Sequence, residues 1–262
     1  MTIMTSLRLL SLALFSAASL GTAAFAQPAV SPTAPATKTK TRLTEPKLTI
    51  AQVEGDGPAV ALTFDACMGK VDHRILDTLI ENRIPSTIFV TARWLKHNAT
   101  AFAVMRANPD LFEIEDHGEN HVPAIDVPMS VFGIKTAGSP EALAAEVEGG
   151  AQAIMAASGV KPQWFRGATA KYTPSAIAEI QSLGYRVAGY SINGDSGSLL
   201  GAAGVARQYH RAKDGDVIIS HINQPTHEAG AGVVKGILDL KARGFRFVRL
   251  NDRTEPLSGK SF

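Results

Sequence analysis

Seven short apolar runs recur along this 262-residue chain, at 59–65, 86–91, 111–117, 163–167, 186–192, 216–221 and 245–250. Helical periodicity fills the gaps between them. Val71, Ile75 and Leu79 fall at i, i+4 and i+8, with Leu76 and Ile80 beside them. Leu143, Val147, Ala151, Ile154 and Met155 form a second stripe, Ile177, Ile180 and Leu183 a third, and Ile237 with Leu240 a fourth. In LGYRV, ARGFRFV and DGDVII a glycine separates helix from strand, where a helix C-terminus calls for one. Alternation of this kind predicts a parallel sheet covered by helices. Seven strands suit an incomplete α/β barrel or an open doubly wound sheet. No GxGxxG or P-loop follows any of the runs, which removes most support for a nucleotide site. The segment 118–140 is rich in proline and glycine and reads as a loop able to wall a site.

The N-terminus reads as a targeting segment. Arg8 precedes the apolar stretch LLSLALFSAASLGTA, and Ala24-Phe25-Ala26 has the small-x-small form of a cleavage site. Residues 1–26 are therefore expected to be a signal peptide, with Gln27 first in the mature chain and a periplasmic or extracellular destination. Residues 27–57 are expected to be a disordered or extended linker, 58–252 the folded domain and 253–262 a tail. No other stretch is long enough to span a bilayer. The net charge of +2 gives no electrostatic footprint for nucleic acid, and the basic KTKTR sits within the linker. Cys67 is the only cysteine, so it has no disulfide partner in the chain and is expected to be buried. Nothing in the sequence sets an oligomeric state.

The strands end on a suggestive set of side chains. Asp65, His117, Arg166 and His221 close four of them, and Asp195 lies just past a fifth. An α/β barrel builds its site at such ends. His117 and His121 form H-x-x-x-H, a spacing that suits a divalent metal if the segment makes a helical turn. Asp116 or Glu119 would then support the imidazoles. Two unrelated loop histidines are the plainer alternative. Asp65 reads as a general base, a ligand or a turn cap. Arg166 follows two aromatics and needs an anion once buried. Asp195 is a partner for a catalytic group or a turn residue. His221 is a general acid or a satisfied core histidine. His73, His97, His210 and His227 read as surface residues. Trp94 and Trp164 are the two tryptophans on which a sugar could stack.

In this order the five stations resemble the polysaccharide deacetylase family, the NodB homology domain of carbohydrate esterase family 4. TFDAC resembles its T-F-D-D-G motif and HGENH its H-[ST]-x-x-H motif. FRGATAKYTP, NGDSG and VIISHINQP resemble its third, fourth and fifth motifs. The resemblance implies a distorted (β/α)7 barrel that removes acetyl groups, N-acetyl before O-acetyl, from an acetylated glycan. It also implies a divalent metal, Zn²⁺ first, with Co²⁺ or Mn²⁺ as alternatives. His117 and His121 would hold the metal and Asp65 would be the base. Arg166 would orient Asp65, and His221, held by Asp195, would protonate the leaving amine. A backbone N–H in the 167–172 turn would supply an oxyanion donor.

One position departs from the pattern. Where the family carries its third metal ligand, this chain has Ala66, and Gly118 replaces the usual Ser or Thr. Three accounts stay open. Asp65 or a nearby acid such as Asp72 completes the site, although Asp72 also reads as a helix N-cap. Alternatively, two histidines and waters hold the metal more weakly. Alternatively, the metal is lost and the barrel is a silent glycan-binding module. A C–N hydrolase of a small non-sugar amide is a further reading.

Overall fold

A computed structural model describes residues 41–253, apart from 53, 54 and 56. The expected signal peptide, most of the linker and all but the first residue of the tail lie outside the described residues. Eight strands form one parallel sheet. They are β1 (Ala59–Ala66), β2 (Ser86–Val90), β3 (Phe112–Asp116), β6 (Trp164–Phe165), β7 (Arg186–Val187), β8 (Ile192–Asn193), β9 (Val217–His221) and β10 (Arg246–Val248). A separate two-stranded hairpin joins β4 (Ser130–Val131) to β5 (Ile134–Lys135). The order β7-β6-β3-β2-β1-β9-β8 places β1 centrally, and β10 pairs with its first three residues. Strands β7 and β8 are the two ends of the single run expected at 186–192. Between them the Gly189 carbonyl accepts from Arg166 and the Tyr190 N–H donates to Pro46, so the run leaves the ladder there. With β7 and β8 counted as one broken strand, the sheet is the expected (β/α)7 barrel, distorted and open at one seam. Residues 44–50 pack against the domain, bridging to Tyr172 and Asp216.

The helices follow their expected stripes and carry identifiable caps. Helix α1 (His73–Glu81) starts on Asp72, whose carboxylate accepts the Arg74 N–H. Helices α2 (Ala92–His97) and α3 (Ala99–Arg106) follow β2, and Thr91 caps α2 by accepting the Trp94 N–H. Helix α4 (Pro140–Ser158) begins at Ser139 and α5 (Pro174–Ser182) at Thr173, each with proline in its first turn. Each such cap contributes about 1 kcal/mol. Helices α6 (Ala202–His210), α7 (Ala229–Ala242) and α8 (Leu250–Arg253) follow. Among the described residues no helix is long and apolar enough to cross a membrane.

The period of two along β1 sorts its side chains between two cores. Val60, Leu62, Phe64 and Ala66 pack outward with Ile75, Leu79 and Val233 of the helices. Ala59 and Ala61 face the barrel interior with Phe89, Trp164 and Ile219. Thr63 and Asp65 share that inner face, where both meet the Arg166 guanidinium.

Candidate active site

The inner face of β1 delivers Asp65 to the mouth of the barrel, and the next inward position is Cys67. Asp65 is 4% exposed. Its Oδ1 accepts from Arg166 Nη1 at 2.9 Å. Arg166 is fully buried and also donates to Thr63 Oγ1 at 3.0 Å and the Gly189 carbonyl at 3.1 Å. Its guanidinium carbon lies 4.2 Å from the centre of the Phe89 ring. Burial alone pushes the Asp65 carboxyl up. His117, Arg166 and His221 outweigh it and hold the pKa below the ordinary aspartate value.

His117 and His121 are brought together, but not by a helical turn. The segment bends through Gly118 at φ +88° and His121 at φ +63°. The two rings end 5.0 Å apart, edge to face. Glycine suits residue 118, whose backbone is left-handed and whose Cβ would lie 2.4 Å from Glu146 Oε1 and displace it. The buried Glu146 of α4 accepts the N–H groups of Asn120 and Val122, on either side of His121, at 3.0 Å each. That clamp holds a non-glycine residue in left-handed backbone, a conformation that persists only when its surroundings enforce it. Neither Asp116 nor Glu119 supports the imidazoles as expected. Asp116 accepts the Gly118 N–H at 2.8 Å, and Glu119 is exposed.

The partner of His117 is the Arg166 carbonyl, 2.5 Å from Nδ1. A carbonyl only accepts, so Nδ1 carries a proton, and Nε2 faces Cys67 and Asp65, a donor to them while the ring is charged and a metal ligand once that second proton leaves. Nε2 lies 3.4 Å from Cys67 Sγ and 3.8 Å from Asp65 Oδ2. Cys67 is the residue that sequence reasoning missed: expected to be merely buried, it faces the histidine pair. One donor atom from each of Cys67, His117 and His121 lies within 4.8 Å of the other two. A tetrahedral zinc with Zn–S of about 2.3 Å and Zn–N of about 2.1 Å separates sulfur from nitrogen by about 3.6 Å. The observed 3.4 Å fits that edge, and one thiolate with two imidazoles is a donor set zinc favours. Burial pushes the Cys67 thiol up, but His117 outweighs it and brings the pKa well below the ordinary value. Burial likewise opposes charge on His117, yet Asp65 and Cys67 raise its pKa to about 9. A thiolate beside an imidazolium is thus ready to exchange a proton for a cation.

Ala66 is not the place to look for the third ligand, since its side chain belongs to the outer core. Asp72 is also removed from the question. It is 1% exposed, caps α1 and accepts from Arg74 Nε at 2.8 Å. Two neighbours fix the turn that presents Cys67. Thr91 Oγ1 donates to the Cys67 carbonyl at 2.5 Å, and Asn223 Nδ2 donates to the Met68 carbonyl.

On the neighbouring strand β9, in register with Asp65, His221 Nδ1 lies 3.0 Å from Asp195 Oδ1, while its backbone N–H donates to Oδ2 at 2.7 Å. A carboxylate accepts from Nδ1, so Nε2 is left facing the cleft. Burial lowers the His221 pKa, but Asp195 outweighs it and carries it well above 6.5. That pairing favours the charged imidazolium. In the 167–172 turn the N–H groups of Gly167, Ala170 and Tyr172 donate to Tyr172 Oη, the Gly167 carbonyl and the Thr44 carbonyl. These three are committed elsewhere and do not serve as the expected oxyanion donor. Trp94 and Trp164 are buried and offer no stacking face.

These groups open into a cleft of about 610 Å³ lined by Asp65, Cys67, His117, His121 and His221. A model of the polysaccharide deacetylase family matches residues 52–188, more than half of the chain. A search of curated proteins finds no match. Among solved structures, a carbohydrate esterase family 4 pseudoenzyme from Bacillus anthracis is similar at TM-score 0.61 and 17% identity, over 76% of this chain and 66% of that one. PdaA of Bacillus subtilis, a family 4 carbohydrate esterase, matches at TM-score 0.61 and 18% identity, over 79% and 83% of the two chains. The Xyl-CE4 domain of a multidomain xylanase from the hindgut metagenome of Trinervitermes trinervoides matches at 0.61 and 21%, over 74% and 88%. At such identities these structures establish the fold alone. With that fold and the family match over most of the barrel's strands, the chain belongs to the polysaccharide deacetylase family.

Proposed function

We propose that this protein is an exported, metal-dependent deacetylase that removes N-acetyl groups from a glycan. The observation that carries the reading is the Cys67–His117–His121 donor set, with Asp65 and His221 beside it in the same cleft. A divalent ion held there, zinc first, supplies a Lewis acid and lowers the pKa of bound water toward ~7. Asp65, kept ionised by Arg166, accepts a proton at Oδ2. His221, charged through Asp195, gives one from Nε2 to the departing amine. A base for the attacking water and an acid for the departing amine are what amide hydrolysis requires. Export is supported by residues 1–26, and N-terminal sequencing of the mature protein should begin at Gln27.

A silent barrel is the second reading, because one similar structure is described as a pseudoenzyme and the motif around Ala66 is displaced. Metal analysis and acetate release from N-acetylglucosamine oligomers separate the two. The deacetylase binds about one metal per chain and releases acetate, and Cys67→Ser loses both. With cobalt bound, the wild type shows a near-ultraviolet thiolate-to-cobalt band that Cys67→Ser lacks. A chain that takes up no metal and stays inert with Zn²⁺, Co²⁺ or Mn²⁺ sinks the deacetylase reading.

A further inference from the structure

Residues 44–50 precede the family match, which begins at residue 52, and fall in the stretch expected to be linker. They nevertheless alternate like a strand. Lys47 and Thr49 are exposed, while Leu48 packs against the inner core and Ile50 is buried within it, in the cluster of Val217 and Ile219. The segment runs down the seam of the barrel from mouth to base. Thr44 pairs with Tyr172 beyond the end of β6, and Thr49 pairs with Asp216 ahead of β9. Between them the Pro46 carbonyl accepts the Tyr190 N–H at 3.4 Å, in the break between β7 and β8. At the mouth Glu45 lines the cleft, where the Tyr190 hydroxyl donates to it and Lys171 Nζ lies 3.4 Å away. Gly189 leaves room for this strap: a Cβ there would lie 2.2 Å from the Pro46 carbonyl oxygen.

The strap acts on Arg166 from two directions. The Arg166 guanidinium donates to the Gly189 carbonyl at 3.1 Å, in the backbone that the strap packs against. The Arg166 main chain leads into the 167–172 turn, where Thr169 (φ +71°) and Ala170 (φ +50°) are successive non-glycine residues in left-handed backbone. Such backbone persists only when its surroundings enforce it. Tyr172 closes the turn. Its hydroxyl accepts the Gly167 N–H at 2.7 Å, and its own N–H and carbonyl pair with the Thr44 carbonyl and N–H at 2.9 and 2.7 Å. From Arg166 the contacts divide toward the reacting groups: the guanidinium holds Asp65 at 2.9 Å, and the carbonyl accepts from His117 Nδ1 at 2.5 Å.

We propose that residues 44–50 are a positioning strap, which orients Asp65 and His117 through Arg166 by pinning Tyr172 and the Gly189–Tyr190 backbone. The site is then assembled from two parts of the chain, the barrel and a segment upstream of the family match. A cut within 44–50 disables the site, whereas removal of residues 1–26 spares the strap. The proposal rests on the deacetylase reading only for its effect on acetate release. The state of the His117 ring and the affinity for metal test it without that reading.

The experiment uses the full chain with isotope-labelled histidine. Ile50→Glu puts a carboxylate into the inner core and should lift the strap while leaving Arg166, Tyr172 and Gly189 unaltered in sequence. In the metal-free protein the His117 Nδ1–H, shielded by the Arg166 carbonyl, should exchange with solvent about tenfold faster in Ile50→Glu, by nuclear magnetic resonance. The His221 Nδ1–H, paired with Asp195, should keep its rate and serves as the internal control. Zinc affinity by chelator competition should weaken about tenfold, and kcat for acetate release should fall about 10–100-fold. Ile50→Val, which keeps the apolar contact, should match the wild type in all three. Gly189→Ala, whose Cβ displaces the Pro46 carbonyl, should reproduce the losses and carries the test if Ile50→Glu does not fold. A wild type that releases no acetate, yet shows the His117 effect, would refute the deacetylase and leave the strap standing. Equal acceleration of both histidine signals, or a freely exchanging Tyr172 N–H with His117 exchange and zinc affinity unchanged, would overturn the proposal and leave the strap as a cover for the core.

Discussion

The barrel interior holds two buried polar clusters on the same strand. Toward the mouth, His117 follows β3 and meets Asp65 and Arg166. Lower down, Glu113 and Glu115 of β3 point inward beside Arg186, Trp164 and Asn251. Both clusters pair carboxylates with arginine, yet their proton states are opposite. Asp65 faces Arg166 and two histidines and stays ionised despite burial. In the lower cluster burial dominates, and the charge of Glu113 raises Glu115 further. Glu113 is pushed up to about 7 and Glu115 well above its ordinary value. There Arg186 stacks on Trp164 at 4.1 Å and donates to Gln163 at 3.0 Å and to Asn251. Glu115 spends its oxygens on the N–H groups of Gln163 and Trp164 and on the Asn251 amide. Carboxyl charge is kept beside the candidate metal ligands, and largely quenched where the network ties the C-terminal segment to the sheet.

The largest effect expected of any single change to this comparison comes from making the mouth resemble the lower cluster. Arg166→Met removes the cation from Asp65 and leaves a buried carboxyl without its main partner. Breaking a buried pair in this way costs about 3–5 kcal/mol, read by urea unfolding. The Asp65 pKa should rise. The base form is then lost at a higher pH, so the acid limb of the activity profile moves upward. Acetate release at neutral pH should fall about 10²–10⁴-fold, the usual worth of a positioned base. A variant with an unchanged profile would show that Asp65 does not depend on Arg166.

Next comes a change that pits sequence motif against strand register. Ala66→Asp restores the acid that the family carries, but on the outward face, against Leu62 and Phe64. It should destabilise the fold by about 3 kcal/mol, as an uncompensated polar group in a core does. In a Cys67→Ser background it should not bring metal back. Recovery of metal content in the double variant would mean that the strand end shifts register to meet the metal.

A smaller effect is expected from the clamp behind the histidines. Glu146→Leu frees the Asn120 and Val122 N–H groups and lets the strained turn at His121 relax. Metal affinity, measured by chelator competition, should weaken about 10–100-fold, as it does when an outer partner of a ligand is lost. Unchanged affinity would show that the loop holds itself.

Much of this architecture is legible from periodicity. The seven apolar runs mark the strands because a barrel strand buried on both faces is mostly apolar below its mouth end, with Glu113 and Glu115 of β3 as exceptions. Asp65, His117, Arg166, Asp195 and His221 stand at or just past strand ends and gather at one mouth for that reason. Three features were hidden. Cys67 could not be read as a ligand, because which face it takes depends on where the strand ends. Glu146 lies 25 residues beyond His121 on a helix whose stripe reads only as core. The 118–140 segment hides a hairpin, because its two strands are two residues each and Phe132 occupies a turn position that asparagine normally takes.

The last and smallest effect separates the clusters by pH alone. A carboxyl whose pKa is lower folded than unfolded, as for Asp65, contributes stability above its unfolded value that is lost as pH falls. Glu113 and Glu115 work in the other direction. Their folded pKa values exceed the unfolded ones, so their contribution is full below about 4.3 and is lost as pH rises, through about 7 for Glu113. Between pH 5 and 8 the lower cluster should therefore make the protein less stable as pH rises. Glu115→Gln keeps one acceptor oxygen for the Gln163 and Trp164 N–H groups and removes the charge. Urea unfolding at pH 5 and pH 8 should show the variant losing less stability over that interval than the wild type, by on the order of 1–2 kcal/mol. Metal content should be unaffected, since the substitution lies below the mouth. If the two proteins fall in parallel, Glu115 is ionised at both pH values and Arg186 balances it much as Arg166 balances Asp65, which would erase the contrast between the two clusters.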